Sequence, residues 1–135
     1  MSISLKKVAN VPHHELMIAE AEDILIVVPE EGFKDTADVT RLTVAALREY
    51  VQKLGKRCGL VIIANNLLSQ DAESRRIYSE EISADLFFGV TMVVSSPLAR
   101  AIGNVAIRFT AMPIPITLSD SVEAGIAWME TLRTA

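Results

Sequence analysis

Three short, unbroken apolar runs constrain this chain more than any other feature: ILIVV (Ile24–Val28), GLVIIA (Gly59–Ala64) and GVTMVVS (Gly89–Ser95). Each is too short for an ordinary helix, and none alternates polar with apolar residues. Each therefore reads as a strand buried on both faces. Strands of that kind need helices on either side, and the segments between them carry the helical period. After Thr36, Val39, Leu42, Ala46, Leu47, Tyr50, Val51 and Leu54 share one side of a helix that Gly55 stops. DAESRRIYSEEIS (Asp71–Ser83) and the stretch from Pro97 to Ala111 are two further helices.

ELMIAEA (Glu15–Ala21) and ILIVVP (Ile24–Pro29), joined by ED, read as a hairpin, and PEEGFKD (Pro29–Asp35) as a loop. PIPITLS (Pro113–Ser119) is a short strand that its prolines place at an edge. Asp120 opens a last helix with capping-box spacing to Glu123, and Val122, Ile126, Met129 and Leu132 form its apolar stripe. The predicted order is β-β-α-β-α-β-α-β-α. It implies one α/β domain over 1–135, with a mixed, mainly parallel sheet of about five strands flanked by helices.

Composition narrows the function classes. Half of the 135 residues are hydrophobic and 22% are charged, which suits a single folded domain. No apolar run approaches the ~20 residues of a membrane span, and the N-terminal stretch lacks a signal-peptide core. With a single cysteine, Cys58, the expectation is a cytoplasmic protein without disulfides. Thirteen basic residues against seventeen acidic ones give −4, and the basic ones are scattered, so a nucleic-acid partner is not expected. The only histidines, His13 and His14, are adjacent and point apart in an extended segment. That is a poor chelate, so neither a metal nor another cofactor is expected. No nucleophile elbow or glycine-rich phosphate loop follows a strand, and nothing in the sequence argues for an enzyme.

The strand-to-helix junctions are the places to look for a ligand, because open α/β sheets bind at the carboxyl ends of their strands. NNLLSQDAESRR follows one buried strand and SSPLAR another. In the second, Ser96 stands at an N-cap, Pro97 at the first helical position and Arg100 one turn in. Arg75, Ser96, Arg100 and Asn104 are thus candidate ligand-binding residues for a small anion. The alternative is that Ser96 merely caps its own helix while Arg100 pairs with a surface acid.

The helix from Leu98 to Phe109 also has an unusual cross-section. Arg100, Asn104 and Arg108 line one narrow stripe at i, i+4 and i+8, and every other residue is apolar or glycine. At 100° per residue the apolar arc is about 240° wide, against roughly 100° for a helix lying on one sheet face. A neighbouring helix, a second subunit or a ligand must meet the excess. Ala99, Gly103, Ala106 and Ile107 are the expected homodimer contact, their small side chains admitting a second helix.

The segment SSPLARAIGN, followed by PIPITLSDSVEAGIAWM, resembles an uncharacterised bacterial STAS-like family with an S-P-L-[AS]-R-x-x-G-N segment. The matching residues are Ser96, Pro97, Leu98, Arg100, Gly103, Asn104, Pro113, Pro115, Glu123, Ala124 and Trp128. The element order is similar to the STAS fold of anti-anti-sigma factors and to the lipid-binding CRAL-TRIO-like group. That resemblance implies a regulatory protein acting through protein–protein contacts. It also implies a phosphorylated serine at a helix N-terminus, for which Ser69 is the candidate, although no aspartate precedes it here. The expectation is a non-catalytic interaction domain and homodimer. The alternative is a binder of a small anionic or amphipathic ligand at the carboxyl end of the sheet.

Overall fold

The computed structural model describes residues 5–19 and 23–133. Its elements are β1 (Leu5–Val11), β2 (His14–Ala19), β3 (Ile24–Pro29), β4 (Phe33–Asp35), α1 (Ala37–Leu54), β5 (Cys58–Ile63), a 3-10 turn (Ala64–Asn66), β6 (Leu67–Gln70), α2 (Ala72–Glu81), β7 (Phe87–Val93), α3 (Pro97–Phe109), β8 (Ile116–Ser119) and α4 (Val122–Arg133). Six strands form the central sheet in the order β1-β2-β3-β5-β7-β8. β1, β2 and β3 are antiparallel neighbours, whereas β3, β5, β7 and β8 run parallel. The end of the predicted first hairpin strand, Glu20 and Ala21, and Glu22 of its turn lie outside the described residues.

The continuous apolar runs are explained by helices on both faces. Along one cross-strand row, Ile18, Leu25, Leu60, Val90 and Ile116 are successive register partners. Strand residues of this face pack in one cluster with Val44, Leu47 and Val51 of α1, Ile77 and Tyr78 of α2, and Ala99 and Ala106 of α3. The intervening residues Ile24, Ile26, Val61 and Val93 point the other way, against Ile126 and Met129 of α4. Alternation is therefore present in direction and absent in polarity. Gly55, with φ +79°, ends α1 in the left-handed conformation that glycine adopts without steric penalty.

Three strands are additional to the sequence reading. β1 extends the sheet to six strands at an edge, where Lys6 and Lys7 are exposed, Lys7 pairs with Glu15 at 3.5 Å, and the register shifts between Lys7 and Ala9. Lysines and a bulge are common protections of an edge strand against further pairing. β4 and β6 form a separate two-stranded parallel ribbon, Phe33 opposite Leu67 and Asp35 opposite Gln70. The N-terminus of α4 also differs from expectation. Ser121, not Asp120, caps it, its Oγ accepting the Ala124 N–H at 3.0 Å.

His13 and His14 do not share one extended segment, and both rings meet Phe33. His13 adopts φ +66° between β1 and β2 and stacks on Phe33, with ring centroids 5.1 Å apart. His14 meets the same ring edge-on at 5.0 Å and is buried with its Nδ1 unpartnered. Burial lowers the His14 pKa from its ordinary 6.5. Below pH 6.5 the unfolded chain then binds a proton that the folded chain refuses, so stability falls with pH in that window. Asp35, pushed above 3.8 by burial, acts in the opposite sense, because the folded state takes its proton first. We expect melting temperatures between pH 7.5 and 5.5 to fall more for the wild type than for His14→Gln. Parallel curves would contradict a buried neutral His14.

Candidate functional site

Two regions carry functional potential: the outer face of α3, and a cavity between α2 and α3. At the start of α3, Ser96 is extended (φ −114°, ψ 157°) and its Oγ accepts the Ala99 N–H at 3.1 Å, with Pro97 opening the helix. Arg100 donates from Nη2 to the Val94 carbonyl at 3.2 Å and to Asp120 Oδ1 at 3.0 Å. The other junction is tied off as well. Asn65 Nδ2 donates to Ser95 Oγ at 2.8 Å, while Asn65 Oδ1 accepts the Ser95 N–H at 2.7 Å. At the carboxyl end of the sheet, these polar groups bond to one another.

The residues expected at a dimer contact divide between the two sides of α3. Ala99, Gly103 and Ala106 are buried within the chain and face the sheet, which corrects the expectation that they lie exposed. The reason is closeness. A Cβ on Gly103 would stand 2.7 Å from Leu118 Cδ2 and 3.1 Å from Val94 Cγ1. Small side chains are therefore needed here for the helix to approach its own sheet. Ile107 is 39% exposed. The outer apolar side is formed by Leu98, Val105 and Phe109, at 49%, 38% and 69% exposure, with Ala101 also exposed between them. Asn104 and Arg108 border it around a shallow depression.

Arg75 and Arg100 do not face one anion. Arg100 lies in the first turn of α3, whereas Arg75 lines a cavity whose other wall includes Ala106 and Thr110 at the far end of that helix. Ten residues of helix separate Arg100 from Thr110, or about 15 Å. The cavity exists because α2 packs on α1, while α3 packs on the 3-10 turn, β6 and β8. The sheet between them is covered in part by Met112 and the segment that follows α3. Arg75 Nη1 donates to the Gln70 carbonyl at 2.9 Å. Among the described residues, no carboxylate lies within ion-pair distance of Arg75.

Behind Gln70 is a buried polar cluster. Asp35 Oδ2 accepts from Gln70 Nε2 at 3.0 Å, and Thr40 Oγ1 lies 3.0 Å from both Asp35 Oδ1 and Ser74 Oγ. Asp71 caps α2, accepting the Ser74 N–H at 2.8 Å. Ser69 is exposed on β6, two residues before that cap. The helix-terminus setting implied for a phosphorylated serine is thus held by Asp71, not by Ser69.

A family model described as "Domain of unknown function (DUF7793)" matches residues 4–133. The chain belongs to the DUF7793 family. No curated protein and no solved structure matches it. The matched span of this DUF7793 domain includes both the outer face of α3 and the cavity. Among its described residues no three His, Cys, Asp or Glu side chains come together as a metal cluster, and no helix is long and apolar enough to cross a membrane. Its one thiol, Cys58, is buried at the start of β5 in the larger core, and burial pushes its pKa up to about 11.

Sequence reasoning missed Gln70 and Thr110. Each presents a buried side-chain oxygen without a hydrogen-bond partner. No local signal marks them, because they come together only when β6 and the end of α3 converge over the sheet.

Proposed function

We propose that this DUF7793 domain is a non-catalytic regulatory and interaction module of STAS-like type, cytoplasmic and homodimeric, that acts through the outer face of α3. The observation that carries this reading is the exposure of Leu98, Val105 and Phe109 on a helix whose inner side is already occupied by the sheet. Large apolar side chains grouped on one exposed helix face are more often a contact surface than idle. Ala101 lies among them, so a second α3 can approach closely there. Two copies related by a two-fold axis present the same apolar stripe to each other, and closed two-fold dimers are the commonest soluble assembly. The buried Cys58 thiol, with its raised pKa, is poorly suited to nucleophilic chemistry at neutral pH.

Sedimentation velocity of wild type and Phe109→Glu tests the reading. The wild type is expected to be dimeric at tens of micromolar and the variant monomeric, with equal melting temperatures apart from the dimer's own contribution. A wild type that stays monomeric at such concentrations removes the homodimer.

A further inference from the structure

We infer that the turn between β1 and β2 is an acid-sensitive clasp: His13 and His14 close on Phe33, and proton uptake by the His14 ring frees the Phe33 end of the β4–β6 ribbon. The two imidazoles meet that ring in different ways. His13 lies nearly parallel to it, with 19° between the planes, and His14 stands at 89°. Two backbone bonds complete the grip, from the Glu30 N–H to the His13 carbonyl and from the Gly32 N–H to the Asn66 carbonyl, both at 2.8 Å. The other end of the ribbon is pinned without either histidine. The Asp35 carboxylate accepts from Thr40 and Gln70, and the Asp35 carbonyl accepts the Asp71 N–H at 3.1 Å. The ribbon can therefore open at Phe33 while Asp35 stays in place.

His14 is where the proton acts. β1 and β3 flank it with Val11 and Pro29, its register partners, and β4 with the Phe33 ring. Its Nδ1 is buried without a partner, so protonation there adds a charge and a donor that nothing accepts. The charged groups around it are His13 in the turn, Glu30 after β3 and Asp35 of β4. Burial outweighs the His13 backbone and the Asp35 and Glu30 carboxylates, which favour a charge on the ring, and a charge on His13 opposes it further. Asp35 keeps its partners in the closed and the open form, so its own proton does not bias the opening. Once the clasp is open, the His14 ring regains its ordinary pKa of 6.5, and below that pH the open form is the one that takes the proton. A closed ring that stays neutral makes opening about tenfold more frequent at pH 5.5 than at pH 7.5. Opening uncovers Phe33 and Leu67, both packed in the larger core. Acid thus changes the surface that the domain presents, at a place independent of the outer face of α3.

The test is native-state hydrogen exchange of the full chain at pH 7.5 and 5.5, read by NMR at single amides and corrected for intrinsic exchange. The Glu30 and Gly32 amides are expected to exchange through a local opening, faster than those of β5 and without dependence on low concentrations of denaturant. Their protection is expected to fall about tenfold between the two pH values, and the Asp71 amide not to follow them. His14→Gln is expected to abolish that fall and His13→Gln to keep it. Phe33→Leu, which needs no change at either histidine, is expected to raise the opening several-fold at both pH values. Exchange of Glu30 and Gly32 only together with β5, or protection that is the same at both pH values, overturns the inference. A fall kept in His14→Gln and lost in His13→Gln overturns the assignment to His14, and wild-type protection in Phe33→Leu overturns the clasp.

Discussion

Leu25→Asp is expected to leave the chain unfolded, or to lower its melting temperature by more than about 15 °C. Leu25 is fully buried in β3, with Ile18 and Leu60 as register partners on either side, and its side chain lies in the larger of the two cores. The substitution removes a buried leucine, at about 2–5 kcal/mol, and places a carboxylate where no cation reaches it, at several kcal/mol more. Domains of this size have about 5–15 kcal/mol in total. Circular dichroism on heating is sufficient to measure it. A cooperative transition at the wild-type temperature would contradict the placement of β3 in the middle of the sheet.

Gly103→Glu is expected to destabilise the fold by several kcal/mol, comparable with other overpacked or charge-burying core changes. The new Cβ would crowd Leu118 and Val94, and the carboxylate would follow it toward the interior. The contrast is Val105→Glu, on the outer side of the same helix, where a surface change away from packing alters the intrinsic stability of the protomer by about 0.5 kcal/mol or less. The two variants therefore separate the faces of α3. If Gly103→Glu dissociated a dimer while keeping the melting temperature of the protomer, Gly103 would lie at the contact and the inward placement of α3 would be wrong.

The difference between those two variants shows where sequence reasoning stops. The strands β3, β5 and β7 were legible because uninterrupted apolar runs of that length have few other uses. The helices were legible because their period is 3.6. β1 was hidden by its position: Lys6 and Lys7 protect an edge, and they also remove the apolar signature of a strand. β4 and β6, three and four residues long, are too short to show any period.

For α3 the difficulty was of another kind. An apolar arc most of the way round a helix fixes no inside, and small residues serve close packing on a sheet as well as on a partner. The sheet claims Gly103 because Leu118 and Val94 stand so near, a distance that no local pattern encodes, and Ala99 and Ala106 are buried on the same side. The cap at Ser96 was readable because it is made within four residues. Arg100 follows the surface-acid alternative, its partner being Asp120, twenty residues on. The cavity, by contrast, draws on β5, β6, α2, β7 and the end of α3, and only the folded arrangement brings Arg75, Gln70 and Thr110 to its rim.

The central claim is that the outer face of α3 meets the same face of a second copy. Cysteine cross-linking tests it most directly, because Cys58 is buried and a new surface thiol reports its own neighbours. Ala101→Cys, in the middle of the exposed stripe, is expected to give a disulfide-linked dimer under mild oxidation, while Ala106→Cys on the buried side gives none. Exclusive monomer for Ala101→Cys at concentrations of tens of micromolar would contradict the account.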